Sequence, residues 1–288
     1  MEVIYLITII LAVALQNAVR KPYTVKTAGM GSVFYSGISA LSAMIFFVIT
    51  SGKLEWNPAF IPYSLGFGVS FAACHCATVL ATANGSLSLT SLFISYSLLL
   101  PTAYGLFFLN EPLGKGLPYG LVLLAVSLFL INKKENTKNN ENKSKITLKW
   151  IIYVLISFAG NGMCSIVQKA QQTAFDGNYK NEFMIVALGL AVVILAVICI
   201  ATERDNIRFY AHSGWHLAAI CGLLVGLVNL FVMLLSGRMA ASLMFPMISA
   251  GGIIITYAFS RWVYKEELTK AQFWGMVMGT ASIVFLNI

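Results

Sequence analysis

Ten apolar runs follow one another along this chain and leave little else to fold. They cover approximately residues 3–19, 29–49, 60–83, 86–109, 117–131, 150–170, 183–201, 215–235, 239–262 and 271–288. Most approach the ~20 residues that cross about 30 Å of hydrocarbon at 1.5 Å per helical residue. A bilayer interior admits only segments that satisfy their own backbone hydrogen bonds, so runs of this length are expected to be helices. Charged residues make up only 10% of the chain, against about 25% in a soluble domain. The expected fold is therefore an all-α polytopic membrane protein of about ten transmembrane helices. The first run could be taken for a signal peptide, because Ala12-Val13-Ala14 resembles a cleavage site. Glu2 stands where a basic segment belongs, however, and nine more runs follow, so it reads as a spanning helix.

The net charge of +8 would suggest nucleic acid if it lay on one face of a soluble domain. Here the charges fall between apolar runs, so no nucleic-acid partner is expected. The five cysteines (74, 76, 164, 199, 221) all lie inside apolar runs, which argues against a disulfide framework. The tryptophans (56, 150, 215, 262, 274) sit in loops or near run ends, the headgroup level that an amphipathic ring prefers. Only Pro101 and Pro246 fall well inside runs, the fourth and the ninth, and both are hinge candidates.

The one long polar stretch, residues 132–149, carries six lysines and two glutamates and has almost nothing to bury, so it reads as a solvated connector. It divides the chain into residues 1–131 and 150–288, and the two parts match. At an offset of 155, Glu111 meets Glu266, Leu113 Leu268, Lys115 Lys270, Gly120 Gly275, Val122 Val277 and Ser127 Ser282. At an offset of 148, Ile4 meets Ile152, Tyr5 Tyr153, Val19 Val167 and Lys21 Lys169. A loop insertion absorbs the difference. Five is odd, so two five-helix copies enter a membrane in opposite orientations, the inverted-repeat design of many secondary transporters. Counted by loop, 14 Lys and Arg lie on the connector's side and 5 on the other, which places the connector in the cytoplasm and the termini outside.

Polar groups inside a membrane are expensive, so each is a candidate for function. The amides are Gln16 and Asn17 in the first run, Asn161 in the sixth and Asn229 in the eighth. Amides donate and accept, which suits a polar uncharged or zwitterionic ligand; the competing role is to join helices. His75, in the third run, is a candidate for ligand binding or proton coupling. Its neighbours Cys74 and Cys76 cannot converge with it on one metal ion, because successive helical residues point about 100° apart. Tyr96 and Tyr257 are candidate aromatic walls. Every carboxylate lies at a run end or in a loop, which counts against a carrier of permanent cations. Glu111 and Glu266 read as anchors for the N-termini of the fifth and tenth helices.

Leu109-Asn110-Glu111-Pro112-Leu113 followed by Gly120, and Lys265-Glu266-Glu267-Leu268-Thr269 followed by Gly275, stand at equivalent places in the two halves. With the ten-run layout they resemble the drug/metabolite transporter superfamily, in its ten-helix EamA-type branch. The first helix differs from that branch in lacking aromatic residues between Leu11 and Val19. The resemblance implies transport by alternating access, and cytoplasmic termini, against the charge count. The expected function is a secondary carrier of a small polar or amphipathic metabolite (amino acid, nucleoside, sugar or amine) in the cytoplasmic membrane. It would lack a cofactor, be coupled to a proton or counter-substrate, and act as a monomer or homodimer among lipids. The alternatives are an intramembrane enzyme acting on a lipid or peptide and a cationic multidrug exporter. No Gly-x-Ser-x-Gly, His-Glu-x-x-His or ATP-binding motif is present.

Overall fold

The computed structural model describes residues 2–27, 30–84, 94, 96–111, 114–132, 147–263 and 270–286. Among these residues the chain forms ten α-helices: α1 (Glu2–Lys26), α2 (Ser32–Thr50), α3 (Ile61–Asn84), α4 (Leu99–Phe108), α5 (Leu117–Asn132), α6 (Leu148–Ala174), α7 (Lys180–Thr202), α8 (Ile207–Ser236), α9 (Ala241–Val263) and α10 (Lys270–Leu286). Short 3₁₀ turns at Pro58–Phe60 and Arg204–Asn206 lead into α3 and α8. α1, α2, α3, α6, α7 and α8 are long and apolar enough to cross a membrane, by length and composition. Most of the expected connector, residues 133–146, lies outside the described residues. It ends where the Thr147 hydroxyl accepts the Trp150 N–H at 3.2 Å and starts α6.

Three boundaries differ from the sequence reading. The fourth run, expected over 86–109, is interrupted by a turn at Ser97 and Leu98, and α4 begins at Leu99. The first helix does not stop at Arg20-Lys21-Pro22 but runs on to Lys26, so Arg20 is part of the helix and not of a loop. The eighth helix starts earlier than expected and bends at Gly214, whose φ and ψ of 162° and 47° are not helical. The bend separates residues 207–213 from the apolar run that begins at 215.

The outer faces of several helices are apolar, and a number of polar side chains are buried. Ile4, Ile7, Leu11 and Leu15 form an exposed apolar stripe on α1, and Val193, Val197 and Ile200 form another on α7. Ser36, Ser39, Ser64, Ser157, Gln168, Lys169, Gln171 and Gln172 are buried. Apolar faces on this scale require an apolar surrounding or a partner. The main core lies between α2, α3, α7 and α8, around Phe47, Phe67, Phe183 and Leu188, and a second, around Ile9, Leu235 and Phe245, joins α1, α8 and α9.

Each helix has a few definite partners. α3 packs on α6 and α7, α8 on α1 and α2, α2 on α7, α4 on α6 and α9, α1 on α9, and α5 on α10. Close approach depends on glycine. An added Cβ at Gly68 would stand 2.5 Å from the Ala187 carbonyl oxygen, and one at Gly222 would meet the carbonyl oxygen of Ser39. Between α5 and α10, Ser127 Oγ donates to the Gly275 carbonyl at 2.6 Å and Ser282 Oγ donates to the Gly120 carbonyl at 2.8 Å.

Candidate functional site

The polar residues singled out from the sequence separate into two groups. Tyr96, Asn161 and Asn229 spend their polar atoms on joining helices. The Tyr96 hydroxyl donates to the Ala125 carbonyl of α5 at 3.1 Å. Asn161 Nδ2 donates to Ser97 Oγ at 2.6 Å. Asn229 Oδ1 accepts from Gln168 Nε2 at 2.7 Å, and its Nδ2 donates to the Val225 carbonyl of its own helix at 2.8 Å. Such bonds between buried amides hold helices in register. The side chains of Asn17 and Tyr257 lie outside the described residues.

Pro101 accounts for the turn that precedes α4. Proline has no N–H to give the carbonyl four residues back, and the chain makes a turn at Ser97 and Leu98, where Leu100 N–H bonds the Ser97 carbonyl at 3.0 Å, before α4 continues. Gly162 lets α6 approach: a Cβ there would lie 3.0 Å from the Ser97 carbonyl oxygen. Pro246 is buried within α9.

Gln16 and His75 belong to a second group that turns inward around Arg20. Gln16 and Arg20 are one turn apart on the same face of α1. Arg20 is only partly buried and lies within electrostatic reach of Tyr35 on α2, Cys74 and His75 on α3, and Cys221 on α8. His75 is 14 residues into α3, roughly 21 Å along its axis, and Cys221 lies beyond the Gly214 bend of α8, so the cluster meets the inner parts of both helices. The His75 ring packs on Phe71 at 4.1 Å between centroids. Gln16 Nε2 is buried without a hydrogen-bond partner. The Tyr35 hydroxyl, buried beside the guanidinium and the Cys221 thiol, completes no hydrogen bond of full geometry. The turn from α1 to α2 holds this arrangement: the Tyr23 hydroxyl donates to the Gly31 carbonyl at 2.6 Å and its ring packs on Tyr35 at 4.6 Å. Gly31 takes a φ of 71°, which suits glycine.

Arg20 and Gln168 are polar residues that sequence reasoning missed. A signal for Arg20 was present, since Gln16, Arg20, Tyr23 and Thr27 continue a helical spacing across Pro22.

A third polar site lies at the opposite end of the bundle. Asn110, at a φ of 50°, reverses the chain after α4, and the Glu111 N–H returns to the Gly105 carbonyl at 3.1 Å. The Glu111 carboxylate was expected to anchor its own helix, α5. It instead accepts the Ala241 and Ser242 N–H groups at 2.8 and 2.9 Å and so caps α9. Lys169, at 3.5 Å from that carboxylate, donates to the Ser236 and Met239 carbonyls at 2.8 and 2.9 Å. One ion pair thus satisfies both sides of the α8–α9 turn. Burial alone would raise the Glu111 carboxyl; the two backbone donors and Lys169 outweigh it and hold the group below the usual carboxylate range. Beside the pair is an open recess of about 520 Å³ lined by Gln172, Thr173, Asp176, Arg238 and the turn itself. Glu203 does the same for α2, its carboxylate accepting the Val33 and Phe34 N–H groups at 3.2 and 2.8 Å. Glu266 lies outside the described residues.

No protein-family model and no curated relative matches the chain. Chains of solved structures do, 28 of them. One, a crystal structure of a protein 11% identical, superposes with a TM-score of 0.76 over 99% of this chain and 98% of its own. The fold is therefore shared with a known structure, and at that identity the likeness concerns the fold alone.

Proposed function

We propose that the chain is a secondary transporter of the drug/metabolite type, built from two inverted five-helix repeats that rock about a polar interior. The observation that carries this reading is reciprocity. Ser127 bonds the Gly275 carbonyl and Ser282 bonds the Gly120 carbonyl, and these are the residues that the 155-residue offset equates. Gly68 approaches Ala187, and Gly222 approaches Ser39; positions 39 and 187 are 148 apart, while 68 and 222 are 154 apart. Exchanging each helix with the one five places on turns one contact of each pair into the other. The same exchange turns α3 on α6 into α8 on α1. A twofold relation across an odd number of spans supports halves that enter a membrane oppositely.

Polar side chains are buried among the apolar cores while the outer faces are apolar, which fits a bundle that lets a small hydrophilic solute pass through a cytoplasmic membrane. Arg20, Gln16, Tyr35 and His75 supply the binding groups, and the break at Ser97 supplies a place for α4 to flex. Asn161 and Asn229 are assigned to holding helices together. Purified protein in liposomes should show saturable counterflow of a metabolite, reduced in His75→Ala and Gln16→Ala. Turnover of a lipid or peptide without solute flux would reject the transporter reading in favour of an intramembrane enzyme.

A further inference from the structure

Resting on the transporter reading, we propose that the solute is a small organic anion whose carboxylate or phosphate is bound by Arg20, Gln16 and Tyr35. A guanidinium presents only donors, Gln16 Nε2 is a donor, and the Tyr35 hydroxyl can be one. Two of these, Gln16 Nε2 and the Tyr35 hydroxyl, are buried without a completed hydrogen bond. A buried donor left unsatisfied is costly, and a ligand that only accepts would relieve both.

Carboxylates and phosphates are acceptor-only groups with several lone pairs, and a planar guanidinium meets them with two parallel N–H donors. Their charge also complements the cation. A cationic or purely donating solute would place like with like against Arg20. Arg20 keeps part of its surface open, whereas Tyr35 is only 6% exposed. His75 and Cys221, within reach of the same guanidinium, would face the remainder of the solute. The elements that supply the cluster, α1, α2, α3 and α8, come from both halves, so a solute bound there touches both rocking bodies.

The test uses the full chain in lipid nanodiscs and matched pairs of probes: short mono- and dicarboxylates against their amides, and phosphate monoesters against their parent alcohols. Binding is read by titration calorimetry and by the shift in thermal unfolding. At least one anion should bind, with its neutral partner weaker by tenfold or more, on the order expected for a lost charged hydrogen bond. Arg20→Gln should weaken the anion at least about 30-fold, as for one partner removed from a buried charge pair. Arg20→Lys should retain part of the affinity, and Tyr35→Phe should lose several-fold. In the wild-type protein, labelling of Arg20 by phenylglyoxal should slow in the presence of the bound anion, a readout that needs no variant to fold.

Which member of the panel binds distinguishes carboxylate from phosphate. Absence of any anion-selective binding, an anion affinity unchanged in Arg20→Gln, or labelling of Arg20 unaffected by the anion overturns the proposal. Counterflow separates the two readings: Arg20-dependent binding without flux retains the site and rejects transport. Flux of a neutral or cationic solute that ignores Arg20 retains transport and rejects the site.

Discussion

Glu111 shows how much one side chain can hold. Its carboxylate closes the first turn of α9, while Lys169 closes the last carbonyls of α8, so both ends of one turn depend on a single ion pair. Glu111→Gln keeps one acceptor but removes the charge. It should lower stability in detergent by about 2 kcal/mol, the range for a hydrogen bond to a charged group. The effect should depend on pH with a definite sign. The carboxyl is held below its ordinary value of 4.5 in the folded protein. Its contribution is therefore complete above 4.5 and is lost as pH falls through the lowered folded value. Thermal unfolding of wild type and Glu111→Gln should differ near neutrality and converge on acidification. A gap that persists or widens in acid would contradict the assignment. The residue itself was legible in the sequence as a helix anchor. Its client was not, because a carboxylate at one helix start can cap any N-terminus that the fold brings within 3 Å.

Between elements, the decisive contacts are backbone against backbone. α8 crosses α2 at Gly222, where a Cβ would meet the Ser39 carbonyl oxygen and stand 2.6 Å from Ser42 Cβ. Gly222→Ala should therefore cost about 1–3 kcal/mol, the usual range for overpacking. Gly189→Ala is the control. Its Cβ would lie 3.5 Å from Met44 Sδ, an ordinary contact, and the gain in helix propensity should leave stability equal or higher. Equal losses for both in a thermal-unfolding comparison would show that the contact at Gly222 is not limiting. The abundance of small residues was visible in the sequence and pointed to tight packing. Which glycine touches which carbonyl was not visible, since every small residue in an apolar run has the same composition signal.

At the scale of the whole molecule, the orientation proposed for the bundle rests on where positive charge lies. Arg20 is turned into the bundle and Lys169 is buried in the α8–α9 turn, so each side of the count loses one charge and the bias towards the connector's side is unchanged. A protease site placed between residues 136 and 143 should be cut in inverted vesicles and resist cutting in right-side-out ones. The reverse result would favour the cytoplasmic termini that the family resemblance implies.

The sequence by itself determined the ten helices found among the described residues, most of their limits and the class of surface they present, because the length and apolarity of a run are local properties. Among the positions that match at an offset of 155, Ser127 touches Gly275 and Ser282 touches Gly120. Tertiary structure alone decided the role of each polar group. Asn161, Asn229 and Tyr96 read the same as Gln16 in a linear sequence, yet three are bonded to neighbouring elements while Gln16 Nε2 has no partner. Arg20 read as a loop charge because Pro22 follows it, and only the continuation of α1 beside Tyr35 and Cys221 turned it inward. The reason is physical: a polar side chain is glue or binding site according to what stands opposite it, and that is supplied by residues distant in the chain.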